Sequence, residues 1–488
     1  MVWVLSACVV LGTAGRYGLA GGLVAFLVVW ARWRRDWSPA GHALLAALCT
    51  AVGAGAALRH DADAGWVAVA AARSGGALVE LHGRVDDFPR TSPYGVSFAF
   101  STPIDGHPVR LLVRASFFDV AYGDRYVLRA RLAPVPPASR AAFDARRLSG
   151  LARVHIRDAR RLAGVQGCPV TRAVLWPLHR AARVRLTRAL GDRAALANGV
   201  LLGERSQFDR RTQAAISRLG IMHLIAISGM HLTTVAACVV AVGRLAPRWS
   251  GACVLLAVSM YAGVVGGVDS LTRAYVMTLL LIGAHGLVRP LRPVDALGKA
   301  LWLMLLASPL SIRSVGLQLS VAATFAVLVV LPGLTTRPRP AASWIARTLV
   351  SSRRAVVGAF VLSVAVEVFI APLQIHYFGA VSAVGPIATV VFFAPVSIVL
   401  LGALGLAMLA GTPFAGPALA RGLELASEST RTLALALAGA VPDPVTLPAP
   451  HAFVYYGGVA LAWATRRRRW IWPWGIVAIV ASFWCGAP

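Results

Sequence analysis

The chain of 488 residues is 57% hydrophobic and only 14% charged, with a mean hydropathy of +0.68, a balance that excludes an ordinary soluble domain and places it among polytopic membrane proteins. Its net charge of +28 is carried by arginine apart from a single lysine, Lys299. Of six cysteines only Cys168 falls in the one long polar stretch, so that stretch has no internal disulfide.

In chain order, residues 1–58 contain three short apolar runs, at about 2–12, 17–31 and 40–58, without a small-residue cleavage site; they are read as retained N-terminal membrane helices. Arginines in short loops set the orientation. Arg32, Arg34 and Arg35, then Arg244 and Arg248, Arg289 and Arg292, the group between Arg337 and Arg354, and the run Arg466 to Arg469 are expected on the cytoplasmic side. The loops around Asp269, Ser311 and His376 are poor in positive charge and are expected outside, as is the polar stretch.

That stretch, 59–170, changes to a period of two between Gly, Pro and Asp turns. The segments "ALVELHGRV", "GVSFAFSTP", "PVRLLVRAS", "RYVLRARL" and "LARVHIR" predict five strands and a small extracytoplasmic β-barrel. Alternation turns Tyr126, Leu128, Ala130 and Leu132 inward and Arg125, Arg129 and Arg131 outward, with Arg110 and Arg114 flanking Leu112, and Arg153 and Arg157 flanking His155. From 59 to 190 there are 21 Arg against 10 acidic residues. Such a surface meets nucleic-acid phosphates or anionic headgroups, or is a solvated face. Phe98 and Phe100 share a strand face, as barrel core or as a stacking platform for bases. Residues 171–218 are expected to form amphipathic, interfacial helices; in "PLHRAARVRLTRAL", Leu178, Ala182 and Leu186 lie on one side and Arg180, Arg183 and Arg188 on another.

Residues 219–411 read as a helical membrane core with polar interruptions. In "HLIAISGMHL", His223, Ser228, Gly229 and His231 stand at the start of an apolar span, where polar groups are costly and turn toward protein or water. Ser228 and His231, three apart, share a helix face; Gly229 lets a second backbone approach or lets the helix break. Three readings stay open: packing glue between helices, a catalytic serine on the strength of "AISG", and the wall of a hydrophilic path. A metal site is disfavoured, because His223 and His231 are about 12 Å apart on a straight helix and no HExxH or paired-Cys pattern occurs. Other spans bear similar marks: Asp269, Ser270 and Arg273, the first and last spaced to pair; Gln318, Ser320 and Thr324; and Glu367, Gln374 and His376 around Pro372. An amphipathic segment and C-terminal membrane helices are expected over 412–488.

The ordered blocks "LLGERS", "LGIMHLIAISGMHL", "DSLTRAYVM", "ASPLSIRSVGLQLSVAATF" and "APLQIHYFG" with "FFAP" resemble the competence domain of the ComEC family, inner-membrane DNA channels of natural transformation. The resemblance covers about 195–410, and "AAFDARRLSGLARVHI" is similar to that family's external OB-like domain. It implies passage of single-stranded DNA across the cytoplasmic membrane by a multi-pass protein touching membrane lipid, with a periplasmic DNA receptor and a cytoplasmic single-strand-binding or motor protein as partners and no cofactor. Many members continue into a metallo-β-lactamase-like domain; here no HxHxDH cluster occurs, so nuclease activity is expected from a separate protein. Ala388 and Thr389 also stand where the family often has an Asn. The basic strand faces are then expected to contact DNA through Arg110, Arg114, Arg125, Arg129, Arg131, Arg153 and Arg157. The polar marks within the spans, His223, Ser228, Gly229, His231, Asp269, Arg273, Gln318, Ser320 and Glu367, are expected to line or shape the passage, with Glu367 pairing with Arg273 or another donor. The rival from another class is an exporter or flippase for an anionic small molecule or lipid.

Overall fold

A computed structural model describes residues 60–92, 95–116, 119–136, 143, 146, 148–166, 168–243, 250–286, 291–308, 311–312, 314–334 and 344–446. The spans expected over 1–58 and the terminal helices expected beyond 446 lie outside the described residues.

Alternating apolar residues curl the polar stretch into a closed sheet. Its strands are β1 (Val79–Val85), the three-residue β2 (Arg90–Ser92), β3 (Gly95–Ile104), β4 (His107–Ala115), β5 (Asp124–Ala133) and β6 (Gly150–Val165). They hydrogen-bond in the order β1-β5-β6-β4-β3-β2, and a second pairing of β1 with β3 completes a ring of five, leaving β2 as a flap on β3. Neighbours are antiparallel except β4 and β6, which run parallel from Leu111 beside Gly150 to Ala115 beside Val154. This is the five-stranded Greek-key barrel of the OB type. Asp105 (φ 48°) and Gly106 (φ 81°) join β3 to β4, the two positive φ values that a tight hairpin turn requires. At the closure Gly83 is obligatory, since a Cβ there would lie 2.2 Å from the carbonyl oxygen of Ser101.

The inward positions fill the barrel. Leu81, Phe98, Phe100, Leu111, Val113, Leu128, Ala130 and Ala152 form one buried cluster, and a helical segment at 60–74, α1, adds Val67 to it. Phe98 and Phe100 are both 0% exposed and meet edge to face with ring centroids 6.3 Å apart, which removes the stacking-platform reading and makes them core.

Helices follow: α2 (Trp176–Leu190), α3 (Ala194–Leu202), α4 (Arg210–Arg218), the single turn α5 (Met222–Ile225), α6 (Gly229–Gly243), α7 (Ser250–Val265), α8 (Asp269–Gly286), α9 (Pro293–Ala307), α10 (Val315–Leu334), α11 (Trp344–Phe378), α12 (Gly385–Leu409) and α13 (Ala415–Ala440). Among the described residues three stretches are long and apolar enough to cross a membrane: Val315–Pro332, Ala355–Phe378 and Gly385–Leu409. On α12 the stripe Phe392, Val396, Val399, Ala403 and Leu406 is buried, while Ile387, Phe393, Ile398 and Met408 are exposed. A helix apolar all round, with large side chains on its open face, suits hydrocarbon as solvent.

The expected face of α2 is turned. Trp176, His179, Leu186 and Leu190 are buried, whereas Leu178 is 44% exposed and Ala182 half-buried. The stripe is set by what the helix packs against, and that neighbour accepts a polar group at His179 (below).

The chain divides into two compact units. The first holds the described residues up to Arg188 together with Leu201–Gln207 and Ile227–Leu317; the second holds Ala189–Val200, Phe208–Ala226 and those from Gln318 onward. In the first, α7 packs on α6 and α8, and α8 on α6 and α9; in the second, α12 packs on α11 and α13, and α13 on α4.

Candidate functional site

The outward arginines of the barrel differ sharply in their surroundings. Register aligns Arg114 of β4 with Arg153 of β6, and Arg153 with Arg131 of β5, so three guanidinium groups form one row across three adjacent strands. All three are exposed, and among the described residues none makes an ion pair. Like charges directly opposite on a sheet destabilise it by a few tenths of a kcal/mol or more, roughly. Arg129 instead lies 3.7 Å from Glu80, which His82 also engages at 3.0 Å. Arg125 is half-buried opposite Arg84. Arg110 is not a surface group as expected: its Nη2 and Nη1 donate to the carbonyl oxygens of Asp86 (3.1 Å) and Arg146 (3.0 Å), and its Nε is 3.3 Å from the Asp86 carboxylate. The side chain of Arg157 lies outside the described residues.

In "HLIAISGMHL" the chain does not run as one helix. The turn α5 stops at Ile225, Ala226 is extended with ψ 133°, and α6 begins at Gly229. Ser228 stands at the N-cap: its Oγ accepts from Met230 N–H (3.3 Å), while Nδ1 of His231 accepts from the main-chain N–H of Ser228 (3.2 Å). The spacing of three is thus a reciprocal capping box in which His takes the place usually held by Glu or Gln. Its physical cause is the helix start, where unpaired N–H groups need acceptors, so the shared-face expectation gives way to a cap. Nδ1 also lies 3.3 Å from Ser228 Oγ, so it is shared between the hydroxyl and the main-chain N–H of the same serine. His231 is 0% exposed, and among the described residues its Nε2 has no hydrogen-bond partner.

Both roles offered for Gly229 are present, a helix break and a close approach: a Cβ there would sit 3.3 Å from Nη2 of Arg273 and 3.4 Å from Ala274. Ser270 donates from Oγ to the carbonyl of Ile227 (2.7 Å), tying α8 to the break. Asp269 opens α8, and Arg273, one turn on, is 5% exposed. Ser228, Gly229, His231, Asp269 and Arg273 all belong to the first unit.

His223, Gln318, Ser320 and Glu367 belong to the second. His223 bonds Nδ1 to the carbonyl of Gly220 (3.0 Å), and its Nε2 is 3.4 Å from Thr389 Oγ1. Tyr377 donates to Oε1 of Gln318 at 2.9 Å, joining α11 to α10. Ser320 is half-buried, and its carbonyl accepts from Thr324 Oγ1 (2.8 Å). Glu367 takes a hydrogen bond from the side chain of Gln374, two turns along the same helix, and lies against Gly385, where an added Cβ would be 3.8 Å from its carboxylate. Gln374 is therefore one donor to Glu367.

Sequence reasoning passed over a buried polar group beside the barrel. His179 on α2 bonds through Nδ1 to the carbonyl of Val264 (2.8 Å) and through Nε2 to Glu204 Oε1 (3.2 Å), with Arg183 3.7 Å from the same oxygen. The available signal was Glu204 itself, an acid directly after the apolar run "NGVLLG". Among the described residues no group of three or more His, Cys, Asp and Glu side chains could hold a metal ion.

A family model described as "Competence protein" matches residues 200–470. No curated protein and no solved structure matches.

Proposed function

The chain belongs to the Competence protein family, with a role in natural competence, and from that premise we propose that it carries single-stranded DNA across the cytoplasmic membrane as a multi-pass protein. The observation that carries the reading is the exposed, unpaired row Arg114–Arg153–Arg131 on an OB-type barrel. Single strands are held by basic grooves whose cations release counterions on contact, and barrels of this topology commonly present such a surface. In this reading the barrel faces outward and collects DNA delivered by a receptor. The polar groups at the α6 and α8 starts, within the first unit, then give the strand a wet surface among apolar helices, where every backbone group must be satisfied internally.

The test is uptake of labelled DNA into the cytoplasm of a transformable host lacking the endogenous protein and complemented by this chain. The triple substitution Arg114→Gln, Arg153→Gln, Arg131→Gln is expected to cut uptake at least tenfold with the protein still present in the membrane. Uptake equal to that of the native chain overturns the role of the row. Failure of the native chain to restore uptake at all, with normal membrane levels, overturns DNA passage.

A further inference from the structure

Within the first unit, four guanidinium groups gather where the β2 flap meets the turn Arg205–Gln207. Arg146 donates from Nη2 to Asp87 Oδ2 at 2.8 Å. Arg183 donates from Nη1 to Thr91 Oγ1 at 2.7 Å and reaches toward Glu204, whose other oxygen, Oε2, is buried without a partner among the described residues. Arg90, on β2, has Arg146 and Arg205 as positive neighbours and Asp87 and Glu204 as negative ones. Asp87 is already engaged by Arg146, and Glu204 by His179 and Arg183. Two carboxylates therefore face four arginines.

Arg90 is the group left over. Among the described residues its guanidinium makes no hydrogen bond and no ion pair, although most of its surface is covered and protein crowds it; burial and then the charge of Arg146 pull it below the ordinary arginine range. Arginine cannot escape such a setting by losing its proton, so five N–H donors and a full charge stand in a partly desolvated place without an acceptor. An isolated buried cation is costly unless an anion answers it. A phosphodiester does so with two non-bridging oxygens matched to the guanidinium fork, and it brings one negative charge to a site with a surplus of two.

We propose that Arg90, flanked by Arg146 and Arg205, binds a phosphodiester of the DNA backbone on the β2 side of the barrel, a site separate from the arginine row. This rests on the reading of the chain as a carrier of single-stranded DNA. The ligand is placed on DNA and not on a lipid headgroup because Arg90 belongs to the strand hydrogen-bonded to β3, in the same barrel that bears the row. The block "LLGERS" then has a use: Glu204 holds His179 and Arg183, and Arg205 presents its charge to the ligand.

The experiment is binding of a fluorescent oligothymidylate to the full chain in neutral detergent over a salt series. Arg90→Gln is expected to weaken binding roughly threefold to tenfold and to reduce the salt slope by about 0.7, the loss of one phosphate contact on a single strand. Arg90→Lys should keep the native slope while losing affinity, because it retains charge without the fork. Arg205→Gln, at an exposed position where folding is insensitive, should reproduce the drop in slope. If neither Arg90→Gln nor Arg205→Gln changes the slope while the row variants do, the second site is overturned and the DNA reading stands. If the native chain does not bind the oligonucleotide at low salt, the DNA reading falls and this site with it. If Arg90→Gln weakens attachment to phosphatidylcholine vesicles containing phosphatidylglycerol but leaves DNA binding intact, the phosphodiester belongs to lipid and the proposal is overturned.

Discussion

Polar side chains meet opposite fates in the barrel and in the apolar helices. On the barrel, Arg114, Arg153 and Arg131 stand in an exposed row without an ion pair among the described residues. On the helices Ser228 and His231 close on each other and on the backbone, Tyr377 closes on Gln318, and Gln374 closes on Glu367. An uncommitted charge is inexpensive where hydration is at hand, and a local partner becomes necessary where it is not. The barrel is thus specified by its core and free at its surface; the helices are specified by polar contacts.

That contrast can be broken most severely at the barrel closure. Gly83→Val forces a side chain into the Ser101 carbonyl and the Phe100 ring, and is expected to abolish the folded barrel, a loss of more than about 3 kcal/mol, seen as proteolysis of the 60–165 region in the full chain.

An alkaline titration comes next. Tyr126 is pushed up to about 12 by burial and then by the Asp124 carboxylate, its hydroxyl donating to the Asp119 carbonyl at 3.0 Å. The folded state therefore prefers the neutral phenol more than the unfolded chain does. The stabilisation is complete below pH 10 and lost as pH rises from about 10 toward about 12, amounting to roughly 2 kcal/mol. Tyr126→Phe should flatten this part of a melting-temperature profile; an unchanged profile would contradict the assignment.

Smaller effects belong to the cap. Ser228→Ala or His231→Ala should each lower stability by about 1 kcal/mol, while His231→Gln, which still accepts from the Ser228 N–H, should recover much of it. Equal losses for His231→Ala and His231→Gln would count against the capping box. Least affected of all is the row: Arg131→Gln should shift stability by no more than about 0.5 kcal/mol and in the stabilising direction, by relief of repulsion from Arg153.

Legibility in the sequence follows the same division. Within a strand, in and out are decided two residues at a time, so "RYVLRARL" already tells that Tyr126, Leu128, Ala130 and Leu132 are core and that Arg129 and Arg131 are not. The partners of a strand are a long-range matter: nothing local announces that Leu111 lies beside Gly150, or that Arg110 is drawn to Asp86 across the sheet. The three residues of β2 are too few to show a period. On α2, apolar count favours Leu178, but the buried position goes to His179 because Glu204, 25 residues on, supplies its partner. In "AISGMH" spacing alone is compatible with a shared helix face and with a cap, and only the extended Ala226 decides.

One consequence lies in time instead of space. Since β4 is flanked by β3 and, in parallel, by β6, the ring stays open until Gly150–Val154 has been made. Synthesis must deliver roughly forty residues beyond β4 before its second side is sheltered, a delay of about two to eight seconds at ordinary elongation rates. For that interval β4 offers an unguarded margin to any passing strand, so chaperone capture, or arrest of a ribosome before residue 150, should register there first.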